Sequence, residues 1–229
     1  MRLLLVSEGA LDVGAAARGG SAAEHDGGDE PRGAVGVLVR RVLEKRFGRE
    51  VHDWEIERDV LPRVHRASES VSGYPRKVHL AIEEAKIRGC SSVAVVVDRD
   101  RTEGGSRLGQ LREGRDLAEQ RDNPLAYKTA LGVAVETVEA WLLADEHALN
   151  EALALDPKAP AIPSPEALGG GPRTETHPKN VLRKLIQRSG AASKAPYDDI
   201  AERARLDVVE RRCPIGFAPF AAELRERCT

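Results

Sequence analysis

Two aspartates with one residue between them, Asp98 and Asp100, follow five consecutive apolar residues, of which four are β-branched (Val93 to Val97). Such a run is typical of a strand buried on both faces of a parallel sheet, and α/β proteins bind ligands at the carboxyl ends of these strands. If the backbone stays extended, both carboxylates point to the same side, where a hard cation such as Mg²⁺ relieves their repulsion. The alternative is an ordinary loop, because loops after strands often begin with aspartate.

A third acidic side chain, Glu8, follows another short apolar run, Leu3 to Val6, which predicts a buried first strand. The first and third strands of a parallel sheet can be neighbours, so Glu8 and the aspartate pair can meet at one edge. The Gly- and Ala-rich segment 13–33 that follows predicts a mobile insertion. It contains neither a GxxxxGK[ST] phosphate loop nor a clean GxGxxG.

The elements around these acids alternate in a way that predicts a mostly parallel sheet of about four strands flanked by helices. Apolar residues at helical spacing predict helices over 34–47 and from Lys77 to Arg88, and Val51 to Arg58 predicts a weak second strand. A charged helix reaches about Asp122. The chain is therefore predicted to be α/β, with the α/β domain over 1–150 and a helical extension over 151–229, where helices are expected at about 178–187, 200–211 and 217–227.

The fourth strand, predicted over 130–135, runs directly into a predicted helix over 136–145. Glu136 and Glu139 begin that helix, and acids in a first turn are favoured by the helix dipole alone, typically by ~0.3–1 kcal/mol each. The alternative is that one of them completes an acidic cluster with the strand-end carboxylates. Trp141 is expected in the core, and Asp145 is expected to brace a basic residue.

Composition limits the possible functions of the chain. A net charge of −2 over 229 residues provides no overall basic field for nucleic acid, and aromatics at 3% disfavour a base-stacking surface. Three widely spaced cysteines without a CxxC pair, and histidines without ligand spacing, argue against disulfide scaffolds and zinc sites. The first apolar run is too short for a signal peptide and nothing else is long enough to span a membrane, so we expect a cytoplasmic protein.

A glutamate after the first strand and a DxD after the third resemble the Toprim domain, which topoisomerases, primases and several nucleases use for phosphoryl transfer. Ser7-Glu8-Gly9 resembles its glutamate-glycine entry, and Val97-Asp98-Arg99-Asp100 resembles its DxD. The interval between the two motifs is longer than usual, and the Gly/Ala insertion accounts for part of it. Further motifs resemble the Toprim-like, RloB-type group found in bacterial abortive-infection and restriction loci, and this resemblance covers nearly the whole chain. These motifs are Val138 to Asp145, Pro165-Glu166, His177-Pro178-Lys179, Tyr197, and Cys213 to Phe217.

The resemblance implies a Toprim/Rossmann-like fold and a Mg²⁺- or Mn²⁺-dependent nuclease. Asp98 and Asp100 would be metal ligands, with Glu8 a ligand or the general base, and Glu139 is favoured over Glu136 as the next member of the cluster. Asp12 is a weaker candidate, since it is equally compatible with an ordinary turn. No tyrosine, Tyr74 included, lies in a recognisable nucleophile setting, so metal-activated water is the expected attacking group.

Phosphate neutralisation requires cations near these acids. Arg99, Arg101 and Arg107 belong to the loop after the third strand, and Lys179 is the lysine that the resemblance singles out. The alternative for each is a solvated surface residue. Arg183 and Lys184, near the start of the carboxyl-terminal helices, have the same two interpretations.

The expected partners are DNA or RNA and an ATPase subunit encoded alongside, with self-association as a further option and no membrane. The ATPase and the anti-phage setting follow from the resemblance alone. Two rival functions stay open: a non-catalytic sensor or regulatory subunit of an ATPase-containing defence complex, and a small-molecule phosphohydrolase.

Overall fold

The computed structural model describes residues 1–9, 33–47, 55–61, 73–99, 107–155, 162, 164–189 and 196–228. Of the predicted features, Asp12, Asp100, Arg101 and the insertion up to residue 32 lie outside these ranges. No helix in the described ranges combines the length and the apolar composition that crossing a bilayer requires.

Four parallel strands form one sheet in the order β2-β1-β3-β4, which confirms the predicted α/β class. The strands are β1 Arg2–Ser7, β2 Glu55–Val60, β3 Ser92–Asp98 and β4 Thr129–Ala134. The helices are α1 Ala34–Phe47, α2 Tyr74–Ile87, α3 Arg107–Gln120, α4 Glu139–Leu142, α5 Glu146–Leu153, α6 Pro178–Ser189, α7 Pro196–Arg203, α8 Leu206–Arg212 and α9 Phe217–Arg227.

The apolar runs of β1 and β3 are buried because helices cover both faces of the sheet. Side chains alternate along each strand. Leu3, Leu5 and Val96 therefore pack against α1 and the carboxyl-terminal helices. Leu4, Val6 and the remaining valines of β3 face α2 and α3. This two-sided burial explains why both central strands read as continuous apolar segments rather than as alternating ones.

The connections leave the sheet in opposite directions at its centre. From β1 the chain continues to β2 on one side, and from β3 it continues to β4 on the other. The carboxyl ends of β1 and β3 thus form a topological switch point, the place where open parallel sheets leave a crevice for ligands. The first and third strands, which the sequence allowed to be neighbours, do pair, with Leu3 opposite Ser92 and Ser7 opposite Val96.

The carboxyl-terminal helices share one core with the sheet. Trp141, Phe217 and Phe220 are fully buried, and the Trp141 ring centroid lies 5.2 Å from that of Phe217 and 5.8 Å from that of Phe220. Helix α9 packs on β4 and on α1. The apolar core is therefore continuous across residue 150, the predicted boundary between the α/β domain and its extension.

Three predicted elements differ from the structure. The second strand extends to Val60 rather than ending at Arg58, and residues 51–54 of that prediction lie outside the described ranges. The predicted helix over 136–145 is only the single turn α4, because Asp145 accepts hydrogen bonds from the amides of His147 and Ala148 and so caps the separate helix α5. The predicted helix over 200–211 is two helices, divided at Ala204 and Arg205.

Gly132 on β4 provides a test of this packing. A Cβ atom there would lie 2.8 Å from the Phe220 ring and 3.2 Å from Val96 Cγ2. We expect Gly132→Ala to lower the free energy of unfolding by about 1–3 kcal/mol, because a crowded core must shift to admit a methyl group. Urea denaturation measures this change.

The control for that substitution is Gly171→Ala, since a Cβ atom at Gly171 meets nothing within 4 Å. Equal stabilities for the two variants would contradict the proposed packing of α9 on β4.

Candidate functional site

Two of the predicted acids meet at the switch point. Glu8 directly follows β1 and Asp98 is the last residue of β3, and both are half-buried. The backbone amide of Asp98 donates a hydrogen bond to Glu8 Oε2 at 3.1 Å. The strand register that places Ser7 opposite Val96 therefore carries both carboxyl groups to the same end of the sheet.

Hydrogen-bond donors surround this acidic pair. The hydroxyl of Tyr74, the first residue of α2, donates to Glu8 Oε1. The backbone amide of Val138 donates to Asp98 Oδ1 at 3.1 Å. These donors fix the orientation of the acids and offset the repulsion between them.

The ring of Tyr74, whose hydroxyl bonds to Glu8, also contacts a buried cation, Arg107. The guanidinium carbon of Arg107, at the start of α3, lies 3.8 Å from the centroid of the Tyr74 ring, and Lys77 Nζ lies 4.7 Å from it. Arg107 is only 7% exposed and also donates to Gln110 at 3.0 Å. Sequence reasoning assigned no role to Tyr74 and treated Arg107 as one loop cation among several. The sequence Gly73-Tyr74-Pro75 does indicate the start of a helix, but no neighbouring residue in the sequence shows which strand end that helix start faces.

The connection from β4 to α4 lies beside Asp98, because its Val138 amide is the one bonded to that carboxylate. Glu139, the first residue of α4, is 8% exposed, and its side chain makes no hydrogen bond or ion pair with the described residues. The Thr137 hydroxyl is also buried and has no hydrogen-bond partner among those residues. Glu136 precedes the helix rather than beginning it and has φ of 60°.

This connection thus combines a left-handed non-glycine residue, Glu136, with a buried hydroxyl, that of Thr137, which the described residues leave unsatisfied. Each feature costs free energy, and such features cluster at ligand-binding and catalytic sites. The helix-dipole explanation does not account for Glu136, which lies outside α4. Glu139 directly follows Val138, whose amide bonds Asp98, but Glu8, Asp98 and Glu139 do not form a group that could hold a metal ion.

The predicted phosphate-binding cations occupy different positions. Arg99 is exposed, and its backbone amide donates to the Ala134 carbonyl at 2.8 Å. Lys179 is exposed at the start of α6, a helix that packs against α4, but it forms no ion pair with Glu8 or Asp98. Arg101 lies outside the described residues.

The donor set fits a hard divalent cation. Carboxylate oxygens are the ligands that Mg²⁺ prefers, and this ion usually keeps several water molecules when one or two carboxylates hold it. Glu8 and Asp98 provide such a pair. Within the described ranges, no three His, Cys, Asp or Glu side chains form a metal-binding group. Asp100, the predicted third ligand, lies outside those ranges.

Other conspicuous acids have structural roles. Asp145 is 1% exposed, and Arg205 donates to its oxygens at 2.8 Å and 2.9 Å. Burial raises the pKa of Asp145, but the hydrogen bonds from the Arg205 side chain and amide outweigh burial and hold that pKa at about 2. Asp145 therefore braces a basic residue, as the sequence predicted. Glu166 accepts hydrogen bonds from the amides of Ile215 at 2.9 Å and Gly216 at 2.7 Å, just before α9.

A family model described as a domain of unknown function, DUF4276, matches residues 39–225. The chain belongs to the DUF4276 family. The matched segment includes Asp98, Glu139, Asp145 and Glu166, whereas Glu8 on β1 precedes it. Searches of curated proteins and of solved structures found no match.

The role assigned to Asp145 predicts a specific pH dependence. Because the folded state lowers the pKa of Asp145 from 3.8 to about 2, the ionised carboxylate stabilises the fold above pH ~4, and this contribution is lost as the pH falls toward 2. Asp145→Asn keeps a residue that can cap α5 but removes the charge. We expect it to lower the free energy of unfolding by about 1–2 kcal/mol at pH 7, a value reduced for the exposure of Arg205.

Urea denaturation at pH 7, 5 and 3 measures this difference, which we expect to shrink at the lowest pH. Asp116→Asn, at an exposed position on α3, is the matched control. A deficit that is the same at all three pH values would contradict the assignment.

Proposed function

We propose that this chain is a Toprim-like, RloB-type hydrolase that cuts phosphodiester bonds in DNA or RNA with Mg²⁺ or Mn²⁺. The observation that carries the proposal is the pairing of Glu8 with Asp98 at the switch point, through the 3.1 Å hydrogen bond from the Asp98 amide. A glutamate after the first strand beside an acid after the third, on neighbouring parallel strands, is the arrangement that the Toprim resemblance implies.

Under this proposal the acids are divided into metal ligands and a general base. Glu8 and Asp98 hold the cation, with Asp100 as the further ligand expected from the sequence. A bound divalent cation would neutralise phosphate charge and promote ionisation of water. Glu139, whose side chain makes no hydrogen bond or ion pair with the described residues, acts as the general base and accepts a proton from the attacking water. The water oxygen bonds to phosphorus while the phosphorus–oxygen bond to the leaving group breaks.

The biological setting in the proposal depends on the resemblance alone. The sequence motifs that resemble the RloB-type group support a role in anti-phage defence, in the cytoplasm, beside an ATPase subunit. The family match adds no activity, since the family is defined as a domain of unknown function.

Cleavage assays test the proposal directly. The purified chain is incubated with plasmid, oligonucleotide and tRNA substrates in Mg²⁺, in Mn²⁺ and in EDTA. We expect cleavage only with a metal ion, and at least a ~100-fold loss of rate in Asp98→Asn, because removing one charged metal ligand weakens stabilisation of the transition state. An asparagine can still accept the hydrogen bond from the Val138 amide, so the fold is kept.

Asp116→Asn is again the control for loss of one carboxylate, and it should cleave at the wild-type rate. Cleavage that persists in EDTA or in Asp98→Asn would contradict the proposal. Activity on mononucleotides alone would favour the small-molecule phosphohydrolase, and tight association without cleavage would favour the regulatory subunit.

The position of Tyr74 leads to a separate prediction. Tyr74→Phe removes one of the two hydrogen-bond donors that orient Glu8 while keeping the ring beneath Arg107. We expect about 5-fold weaker Mn²⁺ binding, measured by electron paramagnetic resonance, because Glu8 must then lose more freedom when it binds the ion.

Tyr127→Phe is the matched control, because Tyr127 also donates to a glutamate, the exposed Glu119, which is not one of the acids of the site. Equal Mn²⁺ affinity in the two variants would show that the Tyr74 hydroxyl does not position Glu8.

A further inference from the structure

Lys77 is a second cation at the ring of Tyr74, besides Arg107. Its Nζ atom lies 4.7 Å from the centroid of that ring. Tyr74 and Lys77 are three residues apart on α2, a spacing that places both side chains on one face of the helix. The hydroxyl of the same ring donates to Glu8 Oε1. Lys77 and the acidic pair are therefore joined through a single tyrosine side chain.

The two cations at this ring differ in their other contacts. Arg107 is 7% exposed and donates to Gln110. Lys77 is half-buried, and beyond the ring of Tyr74 its side chain makes no hydrogen bond or ion pair with the described residues. An ammonium group has three N–H donors, and the face of an aromatic ring accepts none of them as an anion would. The Lys77 ammonium is therefore suited to bind an anion at this end of the sheet.

The position of the ammonium over the ring keeps it from pairing with the acids. Lys77 forms no ion pair with Glu8 or Asp98. A lysine bonded directly to either carboxylate would compete with a metal ion for that carboxylate. The arrangement instead separates the negative groups, which suit a cation, from a positive group, which suits an anion.

A phosphodiester at the metal-bound acids requires such a positive group. The charges of Glu8 and Asp98 together match that of one divalent ion, which leaves the charge of the phosphate to be balanced. Further negative charge develops on the phosphate oxygens as they are attacked, and a nearby cation stabilises it. Lysine binds phosphate oxygens as a point charge on a flexible stem. Because α2 begins at Tyr74, the positive end of its helix dipole also lies at this edge.

We propose that Lys77 binds a non-bridging oxygen of the phosphate group that is held at the Glu8–Asp98 pair, with the ring of Tyr74 as its support. This inference rests on the proposed function. It assigns the phosphate contact to α2, which supplies the hydroxyl bonded to Glu8, rather than to Arg99 or Lys179.

Binding measurements separate this contact from cleavage. The full chain is titrated against fluorescein-labelled 12-nucleotide single-stranded DNA and RNA between 50 and 200 mM salt. Ca²⁺ replaces Mg²⁺, because it carries the same charge and also binds carboxylates but has a looser coordination geometry. We expect Lys77→Gln to weaken binding about 5-fold at the lower salt concentration. It should also reduce the slope of log K against log salt by ~0.7, the value for loss of one phosphate contact on a single strand.

The matched control is Lys86→Gln, which removes the same charge from an exposed position in the last turn of α2 and should change the affinity by less than twofold. Lys77→Arg keeps the positive charge and can also stack on the ring of Tyr74, so it should retain most of the affinity. Circular dichroism and urea denaturation of each variant show that the fold is kept.

Mn²⁺ binding without oligonucleotide distinguishes a phosphate contact from a general loss of the site. Lys77→Gln removes a positive charge near the acids, so it should not weaken Mn²⁺ binding measured by electron paramagnetic resonance. Weaker Mn²⁺ binding in this variant would show that Lys77 supports the acids themselves, and would overturn the inference.

Equal losses of oligonucleotide affinity in Lys77→Gln and Lys86→Gln would also overturn it, as would wild-type protein that binds neither oligonucleotide. The two proposals fail separately. Weaker binding in Lys77→Gln, together with wild-type protein that does not cleave in Mg²⁺ or Mn²⁺, supports the phosphate contact and removes the hydrolase. Metal-dependent cleavage by wild type with unchanged binding in Lys77→Gln removes the phosphate contact alone.

Discussion

The hydrogen bond from the Asp98 amide to Glu8 joins the carboxyl ends of the two central strands at the switch point, where the connections to the outer strands leave in opposite directions. Like charges about 4 Å apart repel each other by about 4 kcal/mol at the effective dielectric constant near a protein surface, so acids gathered at one strand end need compensating groups. The backbone amides of Asp98 and Val138 and the hydroxyl of Tyr74 oppose that repulsion. Two of the three donors belong to the main chain, so the arrangement is maintained by the fold rather than by flexible side chains.

The carboxyl-terminal half of the chain positions one of those donors, the backbone amide of Val138. The Val138 amide can reach Asp98 only while α4 begins where it does. Trp141 anchors that single turn between the rings of Phe217 and Phe220, and Glu166 caps the amino end of α9, which carries both rings. The geometry of the acidic edge therefore depends on packing 40 or more residues further along the chain.

Sequence patterns predicted the parts of the fold that depend on local chemistry. Two apolar runs specified the central strands, and alternation with helices implied that they are parallel, which allowed them to be adjacent. Helix ends were less predictable: Asp145 caps α5 locally, but its carboxylate is also held by Arg205, 60 residues away. The hydrogen bond from Tyr74 to Glu8 spans 66 residues. Such long-range pairs leave no periodic signal in a single sequence.

Strand order makes β1 indispensable to the acidic edge, although the family match starts at residue 39. In the order β2-β1-β3-β4, strand β1 lies between β2 and β3, so these two strands share no hydrogen bonds without it. The backbone of β1 satisfies one edge of each neighbour, and unsatisfied backbone groups in a buried sheet are costly. Any chain that builds this sheet therefore needs a strand in the place of β1, and the residue that follows that strand lies next to Asp98. Chemistry at this edge thus depends on both the matched segment and the strand that precedes it.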